Sequence, residues 1–133
     1  MKTPRKILFV DDDANFLAAL RRTFRNQFIF DTANSGQEAL HLLKSEGPYA
    51  VIVVDIDMPG ISGIELLSRL SAESPKTVQV VLTGKVDLDT FVESVERGKI
   101  FRYVAKSFDG DALRSVLWES LKQYDDDEKE IAE

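Results

Sequence analysis

The 133-residue chain contains no cysteine. Disulfides, thiolate metal sites and cysteine nucleophiles are thereby excluded. Long apolar runs are missing too: none approaches the ~20 residues needed to span a bilayer. No signal-peptide core precedes Asp11. Neither membrane insertion nor export is expected, and a cytoplasmic location fits. The one histidine, His41, sits between two leucines of a helical pattern, where a surface position is expected rather than a phosphorelay role. Positive charge is also in short supply, with 17 Lys and Arg against 23 Asp and Glu and a net charge of −6. Six acids and one lysine fall in the stretch DDDEKEIAE at 125–133, which leaves the other 124 residues near neutrality. No basic stripe of the kind a nucleic-acid binder carries is present, so direct nucleic-acid binding by this chain is not expected. The chain reads as one domain over 1–124, followed by an acidic tail or linker over 125–133.

What the chain does have is core material, with 44% hydrophobic residues. Five short β-rich runs, at 7–10, 29–32, 50–54, 78–82 and 101–104, read as buried strands. Five helical patterns alternate with them, with apolar residues three and four apart. They carry Leu17, Leu20 and Phe24; Ala39, Leu42 and Leu43; Leu66, Leu67 and Leu70; Phe91, Val92 and Val95; and Leu113, Val116, Leu117 and Leu121. Ser35 with Glu38, and Ser62 with Glu65, are capping-box pairs. Asp87 and Asp109 are candidate N-caps of the fourth and fifth helices. Gly47-Pro48, Pro75 and Gly98 stand where helices should stop. Regular βα alternation implies an α/β fold, a doubly wound five-stranded parallel sheet. The flavodoxin-like strand order 2-1-3-4-5 places its chemistry in the crevice at the carboxyl ends of strands one and three.

The first strand ends in Asp11-Asp12-Asp13 and the third in Asp55-Ile56-Asp57. Carboxylates crowded into one crevice repel one another unless a cation intervenes. Hard oxygen donors suit Mg²⁺, usually held by one or two carboxylates plus phosphate oxygens. Asp13, just before the first helix, also reads as its N-cap. Thr83 ends the fourth strand and Lys106 follows the fifth. A hydroxyl and an ammonium opposite a metal would clamp a three-oxygen phosphoryl group.

Four segments in order, ILFVDDD, VIVVDIDMPGISGIELL, VVLTG and FRYVAKSF, resemble the receiver domain of two-component response regulators, the CheY-like family. The resemblance covers roughly residues 6–124. It implies that Asp11 and Asp12 serve Mg²⁺, with Asp12 the direct ligand and Asp11 acting through water. It further implies that Asp55 accepts the phosphoryl group and that the backbone carbonyl of Asp57 completes the protein's share of the coordination. Thr83 would be the switch hydroxyl, Lys106 the phosphate-contacting lysine and Tyr103 the switch aromatic. The donor would be a phosphohistidine on a sensor histidine kinase or phosphotransfer protein. The response would be a conformational switch around the fourth helix, fifth strand and fifth helix. Such a domain catalyses its own phosphorylation and slow dephosphorylation without conventional turnover. The resemblance leans toward receivers that precede an output domain.

Three departures bear on the site. Ser107 stands where the family usually has proline after the lysine. A cis bond costs about 0.5–1 kcal/mol before proline and about 2.5–4 elsewhere, so a trans Lys106-Ser107 bond, or a loop with two arrangements, is expected, and a trans bond would set Lys106 farther from Asp55. Asp57 is an additional acid, and Lys85 an additional base facing the same entrance. As exposed charges they would tune access rather than stability. Two other readings stay open. One is a receiver-shaped interaction module that is no longer phosphorylated. The other is a haloacid-dehalogenase-type phosphatase, whose Asp-x-Asp pattern Asp55-Ile56-Asp57 matches, although that pair normally ends the first strand. Trp118 and Tyr124 on the last helix are expected to pack, and a homodimer contact there is left open.

Overall fold

The computed structural model describes residues 5–56, 58, 63–83, 100–106 and 110–132. Five strands, β1 (Ile7–Val10), β2 (Phe30–Ala33), β3 (Val51–Asp55), β4 (Val78–Thr83) and β5 (Ile100–Ala105), form one sheet in the order β2-β1-β3-β4-β5. Every neighbouring pair runs parallel. The helices are α1 (Ala14–Phe24), α2 (Gly36–Ser45), α3 (Gly63–Glu73) and α4 (Gly110–Ala132), the last matching the fifth helical pattern of the sequence. The fourth pattern, with Phe91, Val92, Val95, Asp87 and Gly98, lies outside the described residues, as do Ser62 and Asp109.

Side chains alternate across a strand, and the sheet uses both faces. Ile7 and Phe9 join Leu17, Leu20 and Phe24 of α1 and Leu113, Leu117 and Leu121 of α4 in one core. Leu8 and Val10 join Ala39 of α2 and Leu66 and Leu70 of α3 in the other. β1 and β3, central and covered on both sides, are therefore buried at every position. The expectation of five buried strands fails for β2 and β5, which are only partly covered. Both are edge strands, with a neighbour on one side only.

Strand ends move by a residue or so from their expected places. β2 starts one residue late, leaving Ile29 60% exposed. β3 runs through Asp55, which pairs in register with Leu82. The helix starts obey capping chemistry. Asp13 Oδ1 accepts from the Asn15 and Phe16 amides at 3.0 and 3.2 Å. Ser35 Oγ accepts from Glu38 N at 3.1 Å. His41 is exposed. Trp118 is half-exposed, its ring 4.9 Å from that of Phe28, and Tyr124 is buried. Beyond Leu121, α4 continues unbroken to Ala132. Arg5, just before β1, pairs with Asp125 at 2.7 Å, and the Tyr124 hydroxyl donates to Glu128 at 2.9 Å.

Candidate functional site: an acidic pocket at the strand ends

Parallel strands β1 and β3 lie side by side, with Val10 opposite Val54. Their carboxyl ends therefore bring Asp11 and Asp55 together. Each is almost wholly buried, whereas Asp12 beside them is exposed. All three carboxylates offer an oxygen within 4.8 Å of the others. Asp11 is fixed from two sides: its own amide donates to Ala33 O at 3.1 Å, and its Oδ1 accepts from Asp13 N at 2.9 Å.

Lys106 closes the pocket. Its amide donates to Thr83 O at 2.7 Å, tying the residue after β5 to the end of β4. From there the side chain reaches the acids. Nζ lies 3.0 Å from Asp11 Oδ1, 2.9 Å from Asp11 Oδ2 and 3.1 Å from Asp55 Oδ2. The withdrawal of Lys106 expected from the loss of proline is thus absent. Two buried carboxylates attract the ammonium, and the Thr83 tether sets its stem within reach. The Lys106-Ser107 bond itself lies outside the described residues, as Ser107 does.

The electrostatics follow from burial. Loss of solvent pushes the Asp11 carboxyl above the ordinary carboxylate value. Hydrogen bonds from Asp13 N and Lys106 pull it back, and the Asp55 charge adds to the rise. Burial acts to lower the Lys106 value, but its hydrogen bonds to Asp11 and Asp55 prevail and leave it raised. Asp11 Oδ2 is buried and touches the ammonium as an ion pair, yet receives no well-directed hydrogen bond. A buried oxygen in that condition, beside two further carboxylates, is a donor set that a hard divalent cation fits.

Of the residues singled out in the sequence, Asp11, Asp12, Asp55 and Lys106 converge here. Thr83 ends β4 half-buried, joined to Lys106 through the backbone. Tyr103 stands on the edge strand β5, 52% exposed. Asp57 and Lys85 lie outside the described residues.

Two residues escaped the sequence reading. Gly63 opens α3 against the end of β3, where a Cβ would stand 2.7 Å from Asp55 O and 2.6 Å from Ile56 Cα. Only a residue without a side chain lets α3 start that close to the site. The glycine lies in the stretch VIVVDIDMPGISGIELL, but nothing local marks it as an approach point. Phe16 places its ring 5.1 Å from Lys106 Nζ. An aromatic at helical spacing reads as core, and Phe16 is partly that.

Comparison with known proteins agrees with this geometry. Residues 7–117 match the response regulator receiver domain family. The chain belongs to that family, the receiver domains of two-component signal transduction. It is 35% identical over 116 residues to the hydrogenase transcriptional regulatory protein HoxA of Cupriavidus necator, covering 87% of this chain and 24% of that protein. It is 32% identical to sporulation initiation phosphotransferase F of Bacillus subtilis, covering 84% of this chain and 90% of that one. The chain spans about a quarter of the length of several regulators it matches, HoxA among them. Among solved structures, response regulator protein TrrA of Thermotoga maritima, in complex with Mg²⁺ and BeF, superposes with a TM-score of 0.77 at 31% identity, covering 88% of this chain and 99% of that one. A structure described as adenylate cyclase from Rhodopirellula baltica gives 0.89 at 36% identity, covering 98% of each chain.

Proposed function

We propose that this chain is a phosphoacceptor receiver in which Asp55 takes a phosphoryl group from a phosphohistidine on a sensor kinase or phosphotransfer protein in the cytoplasm. The observation that carries this reading is the Lys106 ammonium bridging Asp11 and Asp55 at 2.9–3.1 Å, with the Asp12 carboxylate alongside. In the reaction, a carboxylate oxygen of Asp55 attacks phosphorus. The P–N bond breaks, and its electron pair returns to the imidazole, which takes a proton from water. Asp11, Asp12 and Asp55 would hold Mg²⁺, with the Asp57 carbonyl completing the set. The bound ion supplies positive charge against the phosphoryl oxygens. Lys106 neutralises charge from the other side, and Thr83 offers its hydroxyl to the acyl phosphate.

The downstream event is a population shift. Thr83 moves toward the phosphoryl group, and Tyr103, exposed before the reaction, turns into the space vacated. The surface read by an output domain or partner is the one around the fourth helical pattern of the sequence, β5 and α4. HoxA and its fellow transcriptional regulators support such a role within a longer protein.

Incubation with acetyl phosphate and Mg²⁺, followed by intact-mass analysis, tests the proposal. One phosphoryl group per chain is expected, and none in Asp55→Asn. Unabated labelling of that variant would move the acceptor elsewhere. Continuous release of phosphate would favour the haloacid-dehalogenase-type phosphatase, and an unlabelled wild type the interaction module.

A further inference from the structure

We infer that Phe16 is a positioning residue for Lys106, holding the ammonium beside Asp55 through the face of its ring. The inference rests on the phosphoacceptor reading above and deepens it. Nζ lies 5.1 Å from the ring centroid, within the ~6 Å over which a cation feels the quadrupole of an aromatic face.

The contact joins a fixed group to a mobile one. Phe16 packs against the core shared by α1 and α4, and its amide is held by the Asp13 cap at 3.2 Å. Asp13 N in turn donates to Asp11 Oδ1 at 2.9 Å. The acid triplet thus sets the ring's place relative to the carboxylates. Lys106, by contrast, carries its charge on a flexible four-carbon stem.

The ring also differs in kind from the two carboxylates that hold the ammonium. Asp11 and Asp55 are the carboxylates that a divalent cation would share, and such a cation would weaken their hold on Lys106. Phe16 carries no charge and offers no ligand atom to a metal. Its attraction therefore persists when the carboxylates are engaged, and the ammonium stays where the phosphoryl group arrives.

The test compares Phe16→Leu, which keeps apolar bulk and loses the ring, with Phe16→Tyr, which restores the ring. With acetyl phosphate and Mg²⁺, Phe16→Leu should phosphorylate roughly 2- to 10-fold more slowly, the span of a cation–π contact at a partly exposed site. Phe16→Tyr should return most of the rate, at matched melting temperatures. Equal rates for Phe16→Leu and wild type, or equal slowing in Phe16→Tyr, would overturn the inference, the latter reducing Phe16 to a space filler. A second readout needs no phosphorylation. In metal-free protein the Lys106 Cε protons should resonate upfield through the ring current, and Phe16→Leu should abolish that shift. If the wild type takes no phosphate but shows the shift, the phosphoacceptor reading fails and the positioning contact stands. Absence of the shift in the wild type overturns the contact, whatever the labelling result.

Discussion

Lys106 and the two buried acids hold one another in an unequal bargain. Removing the ammonium takes away the positive charge between the Asp11 and Asp55 carboxylates, and breaking a buried pair from one side costs roughly 3–5 kcal/mol, somewhat less where a partner is part-exposed. Lys106→Met in metal-free buffer is therefore expected to lose roughly 2–4 kcal/mol at pH 7.5, read from urea midpoints. The pH dependence has a definite sign. Asp11 has a raised value in the folded protein, so the fold gains stability as pH falls and loses it as pH rises through that value. The Lys106 hydrogen bond and charge hold the Asp11 value down, so it rises further in Lys106→Met, and the deficit of that variant should narrow as pH falls. A constant deficit would mean that packing, not charge, had been lost. Gly63→Ala is the second residue-scale case. Its Cβ would stand 2.6–2.7 Å from backbone atoms that cannot yield cheaply. A loss of about 1–3 kcal/mol is expected, with slower phosphorylation as α3 shifts against Asp55. The acids and Lys106 could be read in the sequence because each stands at or just beyond a strand end, and topology brings those ends together. Gly63 and Phe16 could not, because their contributions are an allowed distance and a ring face, neither of which has a local pattern.

Among the elements, α4 runs past Leu121 into the acidic stretch, as the spacing of its leucines suggests. Acids at a helix C-terminus oppose the macrodipole, which argues for fraying from Asp125 onward. Two contacts oppose that tendency: Asp125 is paired with Arg5, and Glu128 accepts from the buried Tyr124. Amide protection is expected to persist to about Glu128 and to retreat toward Leu121 in the Arg5→Ala, Tyr124→Phe double variant, measured by hydrogen exchange. Burial, together with the Glu128 hydrogen bond, pushes the Tyr124 hydroxyl up to about 12. The stability it confers is fully present below its unfolded value of 10.0 and is lost as pH rises through about 12. A tyrosine absorbance titration of wild type against Tyr124→Phe should show one late-ionising group disappear. Helix α4 was legible from its Leu113, Leu117 and Leu121 spacing, whereas the pairing of Asp125 with Arg5, more than a hundred residues away, was not. β2 and β5 were legible as strands, and as edges through the order 2-1-3-4-5, but their partial exposure was not, since residue identity records apolarity and not the number of neighbours.

For the molecule as a whole, a cation that binds only the folded state should raise its stability by mass action, about 1.4 kcal/mol at tenfold above the dissociation constant. Thermal unfolding in Mg²⁺ against EDTA should show that gain, and Asp12→Ala should lose most of it. An undiminished gain in the variant would place the ion away from this pocket. The sheet also sets directions. Asp11 and Asp55 stand at the carboxyl ends of β1 and β3, while Asp125 meets Arg5 at the opposite end of β1. Helix α4 begins four residues after Lys106 and, at 23 residues and about 1.5 Å per residue, spans roughly 35 Å. It thus runs as a shaft between two poles of the domain. On the proposed function, a phosphodonor would dock at one pole, and a partner that gripped the last turns of the shaft would work at the other. Neither visitor would have to leave for the other to arrive, so charging the domain and reading it would not need to take turns.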